Sequence, residues 1–331
     1  MPLRVVFLGS DIIALPLLDW LAGEGRALAT LVGVFTQPDR ATGRGQQIVP
    51  NGIKTWAVAR GLPVFQPEKL TDESREQLAA LRPDLALVMA YGHLLRDPFI
   101  ETPRFGTLNF HASLLPNYRG ASPIQTAVAA GDAETGVSLM RIVRKLDAGP
   151  VADVERVSIG SRDTALDVEA KLAASCVPLL RRALPKLVEG SLEFVPQDDS
   201  KATFCRKLEK EDGTLDFRVS AQALSARIRG LFPWPACAFS WSGQTIKVGL
   251  ADAVETPVRS GNPGAVLGVD NEGLLVATGS GTLRLLKLQR PGGRMLPALE
   301  FLRGFPVSPG TVLPSQPMPP LVFLAPFRKN S

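Results

Sequence analysis

DLALVMAYG (residues 84–92) followed by GTLNFH (residues 106–111) decides the fold. After Asp84 the first stretch is apolar as far as Ala90, and Tyr91-Gly92 ends it. An unbroken apolar run of this length reads as a strand buried on both faces, as in parallel sheets. Gly106 to Phe110 is the next strand, and Leu3 to Leu8, closed by Gly9 and Ser10, is another. Outward from these, helical patterns fall between strands: Ile12 to Leu21 with Pro16 near its start, Ile53 to Ala59, Asp72 to Leu81 behind the cap Thr71, and Ser122 to Ala130. Leu28 to Phe35, Pro63 to Phe65, Val137 to Ile142 and Val151 to Val157 supply further strands. Alternating strands and helices predict an α/β domain with a mostly parallel sheet covered on both faces. Gln37 to Gln47 is polar and reads as a loop, and Asp163 to Leu187 as a long helical stretch interrupted by Pro178 and Pro185.

The pattern changes after about residue 190. Lys207 to Phe217 is charged and turn-like, and Ser220 to Ile228 reads as a helix. Five short strands then follow: Ala236 to Trp241, Thr245 to Leu250, Ala265 to Val269, Gly273 to Thr278 and Thr282 to Leu288. Turn residues such as Asp270, Asn271 and Gly273 separate them. Five such strands suit a small closed barrel, of which the oligonucleotide-binding type is one example. The tail, Pro309 to Ser331, is rich in proline and reads as mostly extended, with Leu321 to Leu324 as its apolar part.

The 331 residues suit two domains, and 45% hydrophobic with 21% charged residues suits a globular chain, not a disordered one. The apolar run near the start is far shorter than the ~20 residues of a membrane span, and neither a secretory nor an Arg-rich leader precedes it. Cys176, Cys205 and Cys237 are too few for a disulfide framework and lack zinc spacing. A reduced, cytoplasmic chain without a metal is expected. Charge is uneven. Residues 1–200 hold 21 basic and 23 acidic side chains, and residues 201–331 hold 16 and 9, a net +7 in the C-terminal part. Chemistry in front and a polyanion partner behind is one reading, and ordinary surface charge is the other.

The first strand ends in Gly9-Ser10-Asp11 with no G-x-G-x-x-G, so the chain lacks the pyrophosphate cradle of dinucleotide enzymes. His111, one of two histidines, follows the strand 106–110, where an open α/β sheet places its ligands. Asn109 sits two residues earlier and therefore on the same side. An amide and an imidazole together can donate to an oxygen on which negative charge develops. Asp147, before Ala148-Gly149, can orient His111 or accept a proton from an amine, or can be a turn aspartate. His93 can line the same crevice or stand on the surface. Ser113 invites a hydrolase triad, but the G-x-S-x-G elbow is missing.

Asn109-Phe110-His111-Ala112-Ser113-Leu114-Leu115-Pro116 with Tyr118-Arg119-Gly120 resembles the signature of folate-dependent formyltransferases. Gly131 to Val137 and Leu146-Asp147-Ala148-Gly149 match it too. Thr36-Gln37-Pro38-Asp39-Arg40 with Gly43-Arg44-Gly45 resembles the insertion loop of the methionyl-tRNA formyltransferase family. Lys207-Leu208, Lys210 to Gly213 and Pro233-Trp234-Pro235 resemble its later signatures, and the likeness runs over residues 3–313. The resemblance implies a Rossmann-like formyltransferase domain over 1–190, a linker over 191–208, a barrel of the oligonucleotide-binding type over 209–313 that binds tRNA, and a tail over 314–331.

It also implies an enzyme that moves the formyl group of 10-formyltetrahydrofolate to the methionine amine of initiator methionyl-tRNA, and nothing in the sequence requires more than a monomer. Carried over, Asn109 and His111 stabilise the oxyanion and Asp147 holds the amine and takes its proton. Val88, Met89, Ala90, Tyr91, Gly92, Leu114, Leu115 and Pro116 line the folate crevice. Arg44 reaches toward the acceptor arm, and Arg40, Lys207, Lys210, Arg227, Arg229, Lys247 and Arg294 are further candidates for tRNA contact. The chain departs from the family at Ser10-Asp11, where Thr-Pro is common, at Gln46 and Gln47, where two lysines are usual, and at Arg144-Lys145-Leu146, where Val-Gly-Leu is usual. The alternatives are the same transfer to an amino sugar nucleotide or to glycinamide ribonucleotide, or an inactive tRNA-binding relative.

Overall fold

In the computed structural model, residues 1–42, 45, 47–254 and 262–327 are described. They divide into two compact units, neither continuous in sequence. One comprises residues 1–119, 136–157 and 170–202, and the other 120–135, 158–169 and 203–331. Two front segments, 120–135 and 158–169, thus fall with the C-terminal unit.

The first unit is built on a seven-stranded sheet. Its strands are β1 (Leu3–Gly9), β2 (Ala29–Phe35), β3 (Val64–Phe65), β4 (Leu85–Met89), β5 (Thr107–His111), β6 (Glu134–Arg141) and β7 (Val151–Ser158). Their spatial order is β7-β6-β5-β4-β1-β2-β3. β1 runs parallel to β2 and β4, β2 to β3, and β4 to β5. The chain direction reverses only at β6, which pairs antiparallel with β5. The order turns back on either side of β1, which makes the C-terminal ends of the central strands the crevice where open α/β sheets take ligands. Every residue of β4 is buried, as its lack of alternation requires. Phe35 stacks on Phe65 at 4.7 Å between ring centres and meets Phe99 edge-on, closing a core that includes Val6, Leu8, Val88 and Tyr91.

Thr71 caps the helix Asp72–Ala80 in a reciprocal box with Ser74. The long helix Ala165–Glu189 carries Pro178 and Pro185 inside it. Each proline removes one backbone donor, but Leu172, Cys176, Leu179, Leu180, Leu184 and Leu187 are all buried, and that packing outweighs the missing bonds. The segment read as a loop contains a short hairpin, Arg40–Thr42 against Gln47–Val49.

In the second unit the strands Cys237–Trp241, Gln244–Val254, Thr282–Gln289, Leu274–Ala277 and Val266–Val269 follow one another as an antiparallel sheet, with Leu296–Pro297 added to Thr282–Gln289. Among the described residues no pairing joins Cys237–Trp241 to Val266–Val269, so the sheet is not seen closed into a barrel. Leu224 and Ile228 of the helix Ala221–Gly230 pack into its core with Phe217, Ile246, Leu274 and Leu285. The Pro-rich tail docks on this unit. Leu313 and Leu321 are core residues, Val322–Phe323 pairs with Phe204–Cys205, and Gln316 N–H donates to the Leu215 carbonyl at 2.8 Å. Among the described residues no helix is long and apolar enough to cross a membrane.

Candidate active site

β5 carries Asn109 and His111 in from the sheet centre to its C-terminal end. Asn109 is in register with Val88 on β4 and Met140 on β6, and His111 with Ser138. The half-buried Asn109 side-chain amide has no partner among the described residues. His111 is buried, and its Nε2 lies 2.9 Å from the Tyr118 carbonyl. A carbonyl oxygen only accepts, so Nε2 carries a hydrogen and donates it there. The ring therefore meets its surroundings through Nδ1, which is 3.7 Å from Asp147 Oδ2. That is ion-pair range but too long for a hydrogen bond. Contacts of this kind commonly tighten when substrate binds.

Asp147 lies in the connection between β6 and β7 at φ +45°, the left-handed region. Gly149 follows. A Cβ there would lie 1.8 Å from the Arg141 carbonyl oxygen, so only glycine lets the returning chain pass this close to β6. Around the loop stand residues to which the sequence assigns no role. Ser138 Oγ donates to the Ser113 carbonyl at 2.7 Å and accepts from Leu115 N–H at 3.1 Å, which fixes the 113–115 turn against β6. Gln197 donates through Nε2 to the carbonyls of Asp147 and Gly149 at 2.8 and 2.7 Å. Its Oε1 accepts from Arg119 Nε and Nη2 at 3.0 and 2.7 Å. The buried Arg119 also pairs with Asp199 at 2.8 Å. Hydrogen bonds from Lys145 and then Arg119 hold the Asp199 carboxyl below its ordinary range.

Of the expected crevice wall, Val88, Met89 and Tyr91 are buried, and Ala90 and Gly92 are exposed at positive φ. Burial pushes the Tyr91 phenol well above its usual range. Ser10 N–H and Gln37 Nε2 hold the carbonyls of Ala90 and Tyr91 at 3.2 and 3.0 Å. Leu114, Leu115 and Pro116 are half-buried. Leu115 and Pro116 border a cleft of about 340 Å³ whose other wall is Val151 to Val154 with Val195 to Asp198.

Among the residues expected to face tRNA, Arg40, Lys207, Lys210, Lys247 and Arg294 are exposed. Arg44, like the neighbouring Gln46, lies outside the described residues. Arg227 and Arg229 are corrected. Both are buried. Arg227 donates to the carbonyls of Asp212 and Pro319, and Arg229 to those of Gly160 and Asp163. Burial holds both guanidinium groups below their usual range. They fasten backbone and do not face a phosphate.

Residues 3–184 match the formyl transferase family and residues 207–306 the formyl transferase C-terminal domain. The chain is thus a formyl-group transferase of two matched parts. The methionyl-tRNA formyltransferase of Methylococcus capsulatus is 42% identical over 301 residues, which cover 91% of this chain and 96% of that one. That of Pseudomonas entomophila is 42% identical over 295 residues, covering 89% and 93%. The chain belongs to the methionyl-tRNA formyltransferase family. Its fold is shared by a solved N-formyltransferase from Helicobacter canadensis in complex with folinic acid and dTDP-3-aminofucose, at TM-score 0.63 and 16% identity over 88% of this chain and all of that one.

Proposed function

We propose that the chain moves the formyl group of 10-formyltetrahydrofolate to the α-amino group of methionine on initiator methionyl-tRNA, with Asn109, His111 and Asp147 as its catalytic residues. The observation that carries this reading is the His111–Asp147 pair at the C-terminal end of β5, beside an Asn109 amide that has no partner among the described residues. An α-amino group titrates near pKa ~8, so a carboxylate at hand frees its lone pair easily. Asp147 orients the amine and receives its proton as nitrogen attacks the formyl carbon. The carbonyl oxygen then gathers charge, and the Asn109 amide is the donor in place to meet it. His111 acts through Nδ1, because its Nε2 hydrogen is held by Tyr118. Collapse breaks the bond from the formyl carbon to the folate nitrogen, which takes the proton that Asp147 received, so the carboxylate is restored. No covalent enzyme intermediate is needed.

The formyl donor is a substrate. The wall from Val88 to Gly92 and the Leu114-Leu115-Pro116 turn are assigned to it, with apolar side chains and backbone groups beside Asn109. Residues 201–331, at net +7, are assigned the attraction of the tRNA backbone, which needs charge but little base reading. We place the reaction in the cytoplasm, on a monomer. Formyl transfer measured with initiator methionyl-tRNA, elongator methionyl-tRNA and free methionine tests the reading. Fast formylation of the initiator alone is expected. Transfer to an amino sugar nucleotide or glycinamide ribonucleotide in its place would overturn the acceptor assignment.

A further inference from the structure

We propose that Gln197 is a positioning residue for formyl transfer: its side-chain amide holds the loop that carries Asp147 in the left-handed turn from which the carboxylate faces His111. This rests on the catalytic reading of Asn109, His111 and Asp147 given above. Gln197 falls between the two family matches, which end at residue 184 and resume at 207.

The loop needs holding because of where it starts. Ile142 N–H donates to the Thr107 carbonyl, and Arg141 N–H to that of Pro150, both at 3.0 Å. Both ends of the 142–150 connection therefore lie at the beginning of β5. His111 lies at the other end of that strand, about 13 Å away at the usual rise per residue. The connection must fold back along β5 for Asp147 to come within 3.7 Å of His111. Within it, the backbone hydrogen bond from Ala148 N–H to the Lys145 carbonyl at 3.2 Å closes a turn. Asp147 also sits at φ +45°, which a non-glycine residue keeps only when its neighbours impose it.

Gln197 is built for that task. A primary amide has two hydrogens on one nitrogen, and here they go to the carbonyls of Asp147 and Gly149, on either side of Ala148. The amide cannot turn over, because Arg119 donates twice to its oxygen. Gln197 is itself located by Val195, which exchanges both backbone hydrogen bonds with Val151 at 2.9 and 2.8 Å, and by Phe194, whose ring lies 4.1 Å under the Arg141 guanidinium. Arg119 follows Tyr118, whose carbonyl takes the His111 Nε2 hydrogen. One bracket thus fixes both partners of the pair, the imidazole through Tyr118 and the carboxylate through Arg119 and Gln197.

Two variants test this. Gln197→Glu keeps the size and the contact with Arg119 but offers no hydrogen to either carbonyl, whereas Gln197→Ala removes both contacts. Both are expected to lower kcat about 100-fold, the cost of misplacing a reacting group by about 1 Å. KM for the formyl donor and for initiator methionyl-tRNA should stay within about twofold. The Glu variant keeps both hydrogen bonds from Arg119 and loses two, so its Tm should fall by no more than about 5–10 °C, and it decides even if the Ala variant fails to fold. The chain has only two histidines, so His111 ring resonances can be assigned with a His93→Gln variant. In Gln197→Glu they should move as they do in Asp147→Asn. Unmoved resonances with kcat within threefold of the parent overturn the proposal. A parent enzyme that formylates nothing would overturn the catalytic reading instead, and the resonances would still decide whether Gln197 holds the loop.

Discussion

Gly149→Ala adds one methyl group where the structure has no room for it. Heavy atoms essentially never approach a Cβ closer than 3.0 Å, and the new carbon would start 1.8 Å from the Arg141 carbonyl oxygen and 2.9 Å from its carbon. The obstacle is backbone, so a side chain cannot turn away to relieve it. The loop and β6 must part by at least about 1.2 Å. Two hydrogen bonds span that gap and its surroundings: Arg141 N–H to the Pro150 carbonyl at 3.0 Å, and Gln197 Nε2 to the Gly149 carbonyl at 2.7 Å. At about 1 kcal/mol each, with some strain added, the cost is roughly 2–3 kcal/mol. For a unit of this size that lowers Tm by about 5–10 °C. Asp147 is two residues away and moves with the loop, so kcat should fall about 100-fold. Thermal melting and initial rates at saturating formyl donor and initiator methionyl-tRNA measure both effects. A Tm within 2 °C of the parent together with kcat within about twofold would show that the loop is not pinned against β6.

Under the proposed function, Asn109→Ala should lower kcat by about 10²–10³ while leaving Tm nearly unchanged, because its amide is the donor assigned to the developing charge and has no partner among the described residues. Rates and a melt on the same preparation check this. Arg227→Met should destabilise the protein by about 2–4 kcal/mol in denaturant melts, because the carbonyls of Asp212 and Pro319 lose their donor. The folded fraction should bind tRNA as the parent does. Lys207→Ala should do the reverse, leaving stability intact and reducing the slope of log affinity against log salt by about 1. Burial pushes the thiols of Cys176 and Cys237 from 9.0 up to about 12. A folded value above the unfolded one leaves stability whole below pH 9 and erodes it between pH 9 and 12. The slope reaches about 1.4 kcal/mol per pH unit per thiol. Denaturant melts from pH 8 to 11 should show this, with a shallower fall in Cys176→Ala.

The parallel centre of the sheet is legible in sequence because burial on both faces leaves no alternation, as in Leu85–Met89. The cap at Thr71 is legible because its partner, Ser74, stands three residues on. Direction is not legible. A mostly apolar run such as Val137–Met140, broken only by Ser138, reads the same whether its neighbour is parallel or antiparallel. Sequence marks Leu321 as part of an apolar stretch able to pack back but not where it or Leu313 docks, since the surface receiving them is assembled from distant strands. At the site, Asn109 and His111 share a face by the parity of a strand, so their pairing can be read directly. Asp147 needs the family resemblance, and Gln197 carries no signal, being 50 residues from the carbonyl it holds. Arg227 and Arg229 mislead for a related reason. A charged helix residue reads as solvated unless the carbonyls waiting for it are known.

That correction changes what the basic C-terminal part can offer a polyanion. Its arginines are largely engaged. Arg206 is paired with Asp212, Arg218 with Asp216, Arg284 with Asp252, Asp270 and Glu272, and Arg294 with Glu300. Arg284 faces three carboxylates and the other arginines one each, so the net +7 of residues 201–331 is carried by other groups. Lys207, Lys210, Lys247 and Lys287 are exposed, and so are Arg290 and Arg303. A lysine ammonium is a strongly hydrated point charge on a flexible stem and lacks the planar fork with which arginine reads a base edge. A surface led by such groups attracts phosphate steeply and reversibly with salt but discriminates little between tRNAs. Under the proposed function, these lysines therefore supply attraction to the tRNA backbone, and selection of the initiator is left to other groups, to Arg290 and Arg303 or to the front of the chain where the acceptor amine has to reach Asp147.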